Sequence, residues 1–254
     1  MSEAQAFRGI EEFSQGNTFI HNLDPRAKIV TTIVFSVVTA MSNSIITAAG
    51  ALIFPLVLIV SARIDIRKVL GRLYIVNVFI LFLWIFLPVT FPGDVIYAVG
   101  PVKIHREGLF YALLITLKSN AIVLTVIALL GTSPIFTLVH ALSHLWIPDK
   151  LVHLFFFCFR YIHVINDEYR RLQQAMKIRG FQPGTNMHTY RTYAYLVGIL
   201  LVRSFDRAER IVAAMKCRGF KGKFYILNNY EMKHRDYLVA ASGLAFSAIL
   251  LVVK

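Results

Sequence analysis

Residues 45–62 read IITAAGALIFPLVLIVSA, a continuous stretch without a charged side chain. A helix crosses the core of a bilayer with roughly 17–25 apolar residues, so this stretch predicts a membrane span. Further apolar runs predict four more spans, at Ala27–Met41, Leu73–Val89, Leu109–Leu130 and Tyr237–Val253. The sequence therefore predicts an all-α integral membrane bundle of about five transmembrane helices.

The composition supports a membrane protein. Of 254 residues, 57% are hydrophobic and 16% are charged, against roughly 45–50% and about 25% in soluble domains. These values exclude an ordinary soluble domain and a disordered chain. A net charge of +13 would suit an anionic partner, but the basic cytoplasmic part of a membrane protein also explains it. Two cysteines cannot form a disulfide framework, and Met1–Phe13 lacks the pattern of a cleavable signal peptide.

The distribution of basic residues predicts the orientation in the membrane. The turn at residues 42–44 carries no charge, whereas the link between the second and third spans is basic. Its basic residues are Arg63, Arg67, Lys68 and Arg72. Because basic links stay in the cytoplasm, we expect a cytoplasmic N-terminus in a multi-pass protein of the cell membrane. The predicted domains are residues 1–131 with four spans, a cytoplasmic segment 132–236, and a final span 237–254.

The segment 132–236 contains an internal repeat. It predicts two long helices, from Pro148 to about Arg179 and from about Met187 to Arg218, each ended by glycine. Their ends match at a spacing of 39 residues: AMKIRGF at 175–181 recurs as AMKCRGF at 214–220, with six of seven positions identical. Further upstream, Asp167 and Arg171 recur as Asp206 and Arg210.

The repeated ends suggest a docking function. A glycine after the last turn closes a helix, and an arginine there faces its partially negative end. Capping explains one such motif, but not a second copy with the same flanking residues. A guanidinium group is suited to docking against carboxylates, and Phe181 and Phe220 could add apolar anchors. Two equal motifs indicate two equivalent sockets on a two-fold or pseudo-two-fold partner.

These paired motifs resemble those of the transmembrane T component of energy-coupling factor (ECF) transporters. RAER at 207–210 and Gly222 are similar to the CbiQ branch, which is associated with cobalt uptake, and HNLDPRAK at 21–28 resembles the family's entry to its first span. The chain departs from the family at Ile178 and Cys217, where alanine often precedes Arg-Gly.

The resemblance implies a non-catalytic subunit of an ABC-type importer for cobalt or nickel, and the sequence also leaves a vitamin open as the cargo. Two cytoplasmic ABC-type ATPases would dock at Arg179-Gly180-Phe181 and Arg218-Gly219-Phe220, supported by Asp167, Arg171, Asp206 and Arg210. Two coupling helices would transmit ATPase motion to a separate substrate-capturing subunit in the lipid bilayer. ATP hydrolysis is expected in the partners, since this chain lacks Gly-x-x-x-x-Gly-Lys-Ser/Thr. No cofactor, metal or nucleic acid is expected to bind.

Polar residues near the fourth span offer a competing interpretation. Lys118 and Asn120 lie inside this span, where an ionisable side chain often marks a transport pathway. With the histidines, they could form the site of a self-sufficient permease or a membrane enzyme. Lys118 could instead pair inside the bundle or extend to the surface, and Asn120 favours a hydrogen bond between helices.

Three further features remain open at this stage. His140 and His144 are four residues apart, a spacing that can hold a metal, but no third ligand is evident. Asp24, just before Pro25, is expected to cap the first helix. A membrane-anchored binder of nucleic acid or anionic lipid is a third class of function, and it predicts binding that weakens steeply with salt.

Overall fold

The computed structural model describes residues 16, 18–92, 94–99, 102–145, 147–220 and 234–252. The chain divides into two compact units. We call Met1–Trp146 with Tyr230–Lys254 the membrane unit, and Ile147–Asn229 the helix-pair unit. Helices dominate both, so the predicted all-α fold is confirmed. The signal-peptide question at Met1–Phe13 and the motif residue Gly222 lie outside the described residues.

The membrane unit is a bundle of helices with one short hairpin. Its elements are α1 (Pro25–Met41), α2 (Ile45–Ala51), α3 (Ile53–Ala62), α4 (Ile66–Thr90), β1 (Val95–Val99), β2 (Val102–His105), α5 (Arg106–Leu129), α6 (Ile135–Ser143) and α9 (His234–Val252). The helix-pair unit contains α7 (Asp149–Ile178) and α8 (Met187–Cys217).

Three stretches of the described chain are long and apolar enough to cross a membrane. They are Ile45–Ala62, Ile66–Thr90 and Arg106–Leu129, so the second, third and fourth predicted spans fall on stretches with the length and composition that a crossing requires. The first predicted span, Ala27–Met41, falls within the 17-residue helix α1. Residues 237–252 of the fifth lie within α9 and Val253 lies outside the described residues; the apolar part of α9, Asp236–Leu250, is shorter than the three stretches above.

The second span is interrupted at Leu52, between α2 and α3. Pro55 has no backbone N–H, so it cannot donate to the carbonyl oxygen of Ala51. Leu52 donates its own N–H to the carbonyl oxygen of Ala49 at 3.2 Å, which tightens the turn. The proline thus divides one apolar stretch into two helical segments.

A β-hairpin joins α4 to α5, and the sequence analysis did not predict it. β1 and β2 pair antiparallel, with Val99 opposite Val102 and an irregularity between Val95 and Tyr97. The two strands contain several β-branched residues, which favour extended backbone. The hairpin adds a small ordered element to the link between the third and fourth spans.

Aromatic rings and a close helix approach form the core around α1. Phe35 of α1 is fully buried, and its ring centroid lies 5.2 Å from that of Phe54 and 6.5 Å from that of Phe246. Gly243 of α9 faces Thr31 of α1 so closely that an added Cβ atom would collide with the Thr31 methyl group. The missing side chain at this position lets α9 pack directly on α1.

We expect Gly243→Ala to lower the free energy of unfolding by about 1–3 kcal/mol, because the new methyl group overpacks a closed contact. Gly71→Ala is the matched control, since no atom lies within 4 Å of its added Cβ. Alanine there should be neutral or stabilising, because it favours a helix more than glycine does. Thermal unfolding in detergent, followed by circular dichroism, measures both variants. Equal melting temperatures for the two variants would contradict the close approach.

Candidate functional site

The two long helices predicted after the fourth span are present. α7 runs from Asp149 to Ile178 and α8 from Met187 to Cys217, each ending one residue before the predicted end. Pro148 precedes α7, where its fixed φ angle suits the approach to a helix. The two helices therefore end at the repeated Arg-Gly-Phe motifs.

The end of α7 is closed by a Schellman motif, the arrangement in which a left-handed residue folds the chain back onto the last turn. Gly180 has φ +79°. Its N–H donates to the carbonyl oxygen of Lys177 at 3.0 Å, and the N–H of Phe181 donates to that of Met176 at 3.1 Å. Glycine adopts this conformation without the steric penalty that a Cβ atom brings.

The end of α8 has the same backbone geometry. Gly219 has φ +78°, and its N–H donates to the carbonyl oxygen of Lys216 at 3.0 Å. The N–H of Phe220 donates to the carbonyl oxygen of Met215 at 3.0 Å. The repeat in sequence is thus also a repeat in local structure, and it places two arginines in matching positions.

Both motif arginines are open to a partner. Arg179 and Arg218 have exposed side chains and similar backbone angles, with φ −78° and ψ 9° at the first and φ −89° and ψ 11° at the second. Within the described ranges, neither guanidinium group forms an ion pair with this chain. Two exposed cations are therefore presented on two equally shaped helix ends.

The phenylalanines that follow the two Arg-Gly pairs were predicted to be apolar anchors for a partner. The Phe181 ring is half-buried and packs inside the chain, with its centroid 5.8 Å from Tyr193 and 6.2 Å from His188. It therefore stabilises the turn between α7 and α8, a role that the sequence analysis missed. Phe220 is half-buried as well.

The predicted supporting residues do not form the local ion pairs that their spacing permits. Each acid and the arginine four residues later lie on one helix face. No salt bridge joins the members of either pair in the described structure. These residues are Asp167 with Arg171, and Asp206 with Arg210. Their charges remain on the helix surfaces near the motifs.

An ion pair joins the middle parts of α7 and α8. The carboxylate of Glu168 accepts a short hydrogen bond from Nη1 of Arg203, and its other oxygen lies 3.9 Å from Nη2 of Arg207. The Glu168 side chain is 14% exposed, against 52% and 34% for the two arginines. The acid is therefore enclosed between two more exposed cations.

The polar residues of the fourth span have partners within the bundle. Nζ of Lys118 donates to the carbonyl oxygen of Ala40 at 2.8 Å, in the last turn of α1, where a cation is favourable. The amides of Asn77 and Asn120 exchange hydrogen bonds of 3.2 and 3.1 Å. The predicted hydrogen bond between helices is confirmed for Asn120, and Lys118 pairs inside the bundle.

The two histidines lie side by side. The rings of His140 and His144 meet edge to face, with centroids 5.1 Å apart. In the part of the chain that the structure describes, no three His, Cys, Asp or Glu side chains come together as a metal site would require. Among these described residues, the histidine pair is thus not joined by a third side chain of a type that binds metals.

A buried lysine, which the sequence analysis did not single out, links distant parts of the membrane unit. Lys28 of α1 is 1% exposed. Its Nζ donates to the hydroxyl oxygens of Ser133 at 2.7 Å and Thr132 at 3.3 Å, and to the carbonyl oxygen of His21 at 3.4 Å. The carboxylate of Asp236 attracts it as well. One ammonium group thus connects α1, the turn before α6, and the first part of α9.

The predicted cap at the start of α1 is confirmed. The Asp24 carboxylate accepts a hydrogen bond from the N–H of Arg26 at 2.9 Å, and Pro25 begins the helix. The N–H of Asp24 donates to the carboxylate of Asp236 at 3.0 Å. This cap and the Lys28 contacts form one buried polar cluster at the beginning of α1.

Comparisons with known proteins agree with this architecture. A family model described as CbiQ, cobalt transport protein, matches residues 16–226. The energy-coupling factor transporter transmembrane protein EcfT of Streptococcus thermophilus is 28% identical over 225 residues, which cover 84% of this chain and 85% of that protein. EcfT of Bacillus subtilis is 26% identical, with 84% of each chain covered. EcfT of Brevibacillus brevis is 28% identical, with 96% of each chain covered.

We expect Lys28→Met to lower the free energy of unfolding by about 2–4 kcal/mol. The substitution keeps the length of the side chain but leaves buried hydroxyl and carboxylate groups without their cation. Lys118→Met is the matched control, because it removes one hydrogen bond at a partly exposed helix end and should cost less than about 1 kcal/mol. Thermal unfolding of both variants in detergent tests the difference. A Lys28→Met protein as stable as the control would argue against the buried cluster.

Proposed function

Because the chain belongs to the CbiQ family, the transmembrane T components of energy-coupling factor transporters, we propose that it couples the motion of ATPases to substrate import. In this role it joins two cytoplasmic ABC-type ATPases to a separate membrane subunit that captures the substrate. The chain itself is not catalytic, and ATP hydrolysis occurs in its partners.

One observation carries the proposal: the two helix ends match in sequence and in backbone geometry. A guanidinium group can form paired hydrogen bonds with a carboxylate, so Arg179 and Arg218 are suited to acidic sockets. Two equal motifs on one chain fit two copies of a socket, which is what a pair of similar ATPases provides. Each of Gly180 and Gly219 holds its arginine at the tip of a helix.

We propose that the imported cargo is a divalent cobalt ion, and nickel is the alternative. The description of the matched family, a cobalt transport protein, supports this choice. The relatives in Streptococcus and Bacillus are named as transporter components, and their names state no cargo. A separate subunit would recognise the ion, so cargo choice would not depend on residues of this chain.

The orientation follows from the charges. We place the protein in the cell membrane with its N-terminus and the segment 132–236 in the cytoplasm, because basic links stay inside. This segment contains both motifs and would be the coupling domain between residues 1–131 and the final span. ATP and the ATPases are cytoplasmic, so the proposed orientation brings the motifs to them.

The competing function, a self-sufficient permease or membrane enzyme, has less support. It depends on Lys118 and Asn120 being available to a substrate, and both side chains are bonded to neighbouring helices. The rings of His140 and His144 contact each other, and the described residues contain no cluster of three side chains that could hold a metal. The duplicated helix ends would also have no purpose in such a protein.

We expect the double variant Arg179→Glu with Arg218→Glu to lose association with co-expressed ABC-type ATPases, because like charges would face each other at both sockets. Each single variant should retain part of the association, since one motif remains. Arg191→Glu is the control, because it reverses another exposed arginine of α8. Affinity purification and quantification of the ATPases measure the effect. A double variant that retains the normal ATPase yield would rule out docking through these arginines.

The proposed orientation predicts which side of the membrane Cys217 faces. This exposed thiol precedes the second motif. In a Cys158→Ser background, a membrane-impermeant maleimide should label it in inside-out vesicles but not in intact cells. An Asn43→Cys variant without the native cysteines should show the reverse, because it lies in the uncharged turn assigned to the outside. Labelling of Cys217 in intact cells would contradict the orientation.

A further inference from the structure

The ion pair between α7 and α8 joins equivalent positions of the repeat. With the 39-residue spacing, Glu168 corresponds to Arg207, and Val164 corresponds to Arg203. The Glu168 carboxylate contacts both arginines. The contact between Glu168 and Arg207 thus joins equivalent positions of the two copies. The contact between Glu168 and Arg203 joins Glu168 to the equivalent of Val164, one helical turn earlier.

When a two-fold axis relates two helices, a residue contacts its own equivalent only next to that axis. Away from such an axis, position i of one element contacts position j of the other, and j contacts i. The contact of Glu168 with Arg207 therefore marks the pseudo-two-fold axis of the helix pair. The crossing point of α7 and α8 lies at this ion pair.

The ring contacts define the direction in which the helices run. From Glu168 the chain advances along α7 and past its end to Phe181. The partners on α8 recede over the same interval, from Arg203 to Tyr193 and His188. The two helices are therefore antiparallel, as an axis perpendicular to both of them requires.

The repeat changes charge where the helices cross. Arg171 and Arg210 are identical in the two copies, and so are Asp167 and Asp206, but glutamate 168 is replaced by an arginine in the second copy. Two positions further on, Arg170 corresponds to Glu209, a second inversion. Identical residues at an axis would place like charges together, which is unfavourable. The inversion makes pairing between the two unlike repeats favourable.

The position of the crossing also fixes the geometry of the motifs. Arg179 lies eleven residues beyond Glu168, and Arg218 lies eleven residues beyond Arg207. At 1.5 Å per residue, each motif is about 16 Å of helix from the crossing. Because the helices are antiparallel, the two lengths extend in opposite directions. A change of angle at the crossing would move both arginines by equal amounts.

We propose that Glu168, with Arg203 and Arg207, is the pivot of the coupling helices: an ion pair that fixes their crossing and so sets the separation of the two docking motifs. It also restricts pairing to the two unlike repeats of one chain, since α7 of a second copy would bring a second Glu168 to the axis. These are positioning residues that act through the motifs, and this part of the proposal rests on the proposed docking function.

Distance measurement between the motifs tests the pivot without any cargo. Ile178 is the repeat equivalent of Cys217, so Ile178→Cys in a Cys158→Ser background places one spin label at each helix end. In the full chain in lipid nanodiscs, pulsed EPR should give one narrow distance distribution. Glu168→Arg should broaden this distribution and shift its maximum by several ångströms, and Glu168→Gln should broaden it less.

Charge exchange separates the pivot from simple misfolding. The triple variant Glu168→Arg, Arg203→Glu, Arg207→Glu exchanges the signs, so that one cation on α7 faces two carboxylates on α8. Because the attraction is kept, the variant should restore the narrow distance distribution. Arg191→Glu, the control on the same helix, should leave it unchanged. The pivot is overturned if Glu168→Arg keeps the wild-type distribution, or if the triple variant is as broad as Glu168→Arg.

Association with ATPases provides the second measurement, on chains without spin labels. Glu168→Arg should clearly lower the amount of co-purified ATPase, and the triple variant should restore it. Native Arg179 and Arg218 remain present in both. If the wild-type chain binds no ATPase, the docking function fails while the distance test still decides the pivot. If wild-type association is normal and Glu168→Arg does not reduce it, only the pivot's link to docking fails.

Discussion

The membrane unit depends on one constraint: the bilayer core offers no hydrogen-bonding partners, so buried polar groups must bond to each other. Lys28 meets this constraint with the hydroxyls of Thr132 and Ser133. Lys118, which is partly exposed, donates in the same way to the carbonyl oxygen of Ala40 at the end of α1. Each bond joins α1 to a part of the membrane unit that is distant in sequence. Polar groups that a membrane disfavours therefore help to hold this bundle together.

The helix-pair unit is organised by a different principle, duplication. Glycine closes both helices in the left-handed conformation, so the two arginines have nearly the same local setting. Of the two motif phenylalanines, Phe181 packs its ring on the following helix. The contact between Glu168 and the arginines of α8 joins the copies where they cross. The two helices thus have matching ends for docking and oppositely charged residues where they cross.

Sequence patterns predicted the features that are local. Apolar length identified the spans, and proline and glycine placed the ends of α7 and α8 within one residue. The partners of Lys28 could not be predicted, because Thr132 lies 104 residues away and meets it only after the helices have packed. The hairpin was missed because its strands are short. The partners of Glu168 needed a known direction for the two helices, although the charge inversion within the repeat was visible in the sequence.

If α1 spans the membrane as the sequence predicts, its shortness has a consequence for the lipid around the protein. Its 17 residues extend about 26 Å along the helix axis, against roughly 30 Å for the hydrocarbon core. A span shorter than the core is accommodated by local thinning of the bilayer, at a fraction of a kcal/mol for each ångström of mismatch. Residues of α1 that face outward, such as Ile33 and Val37, would meet that compressed lipid. Acyl-chain length thus becomes a variable that acts on this helix and, through Lys28, on the bundle that it anchors.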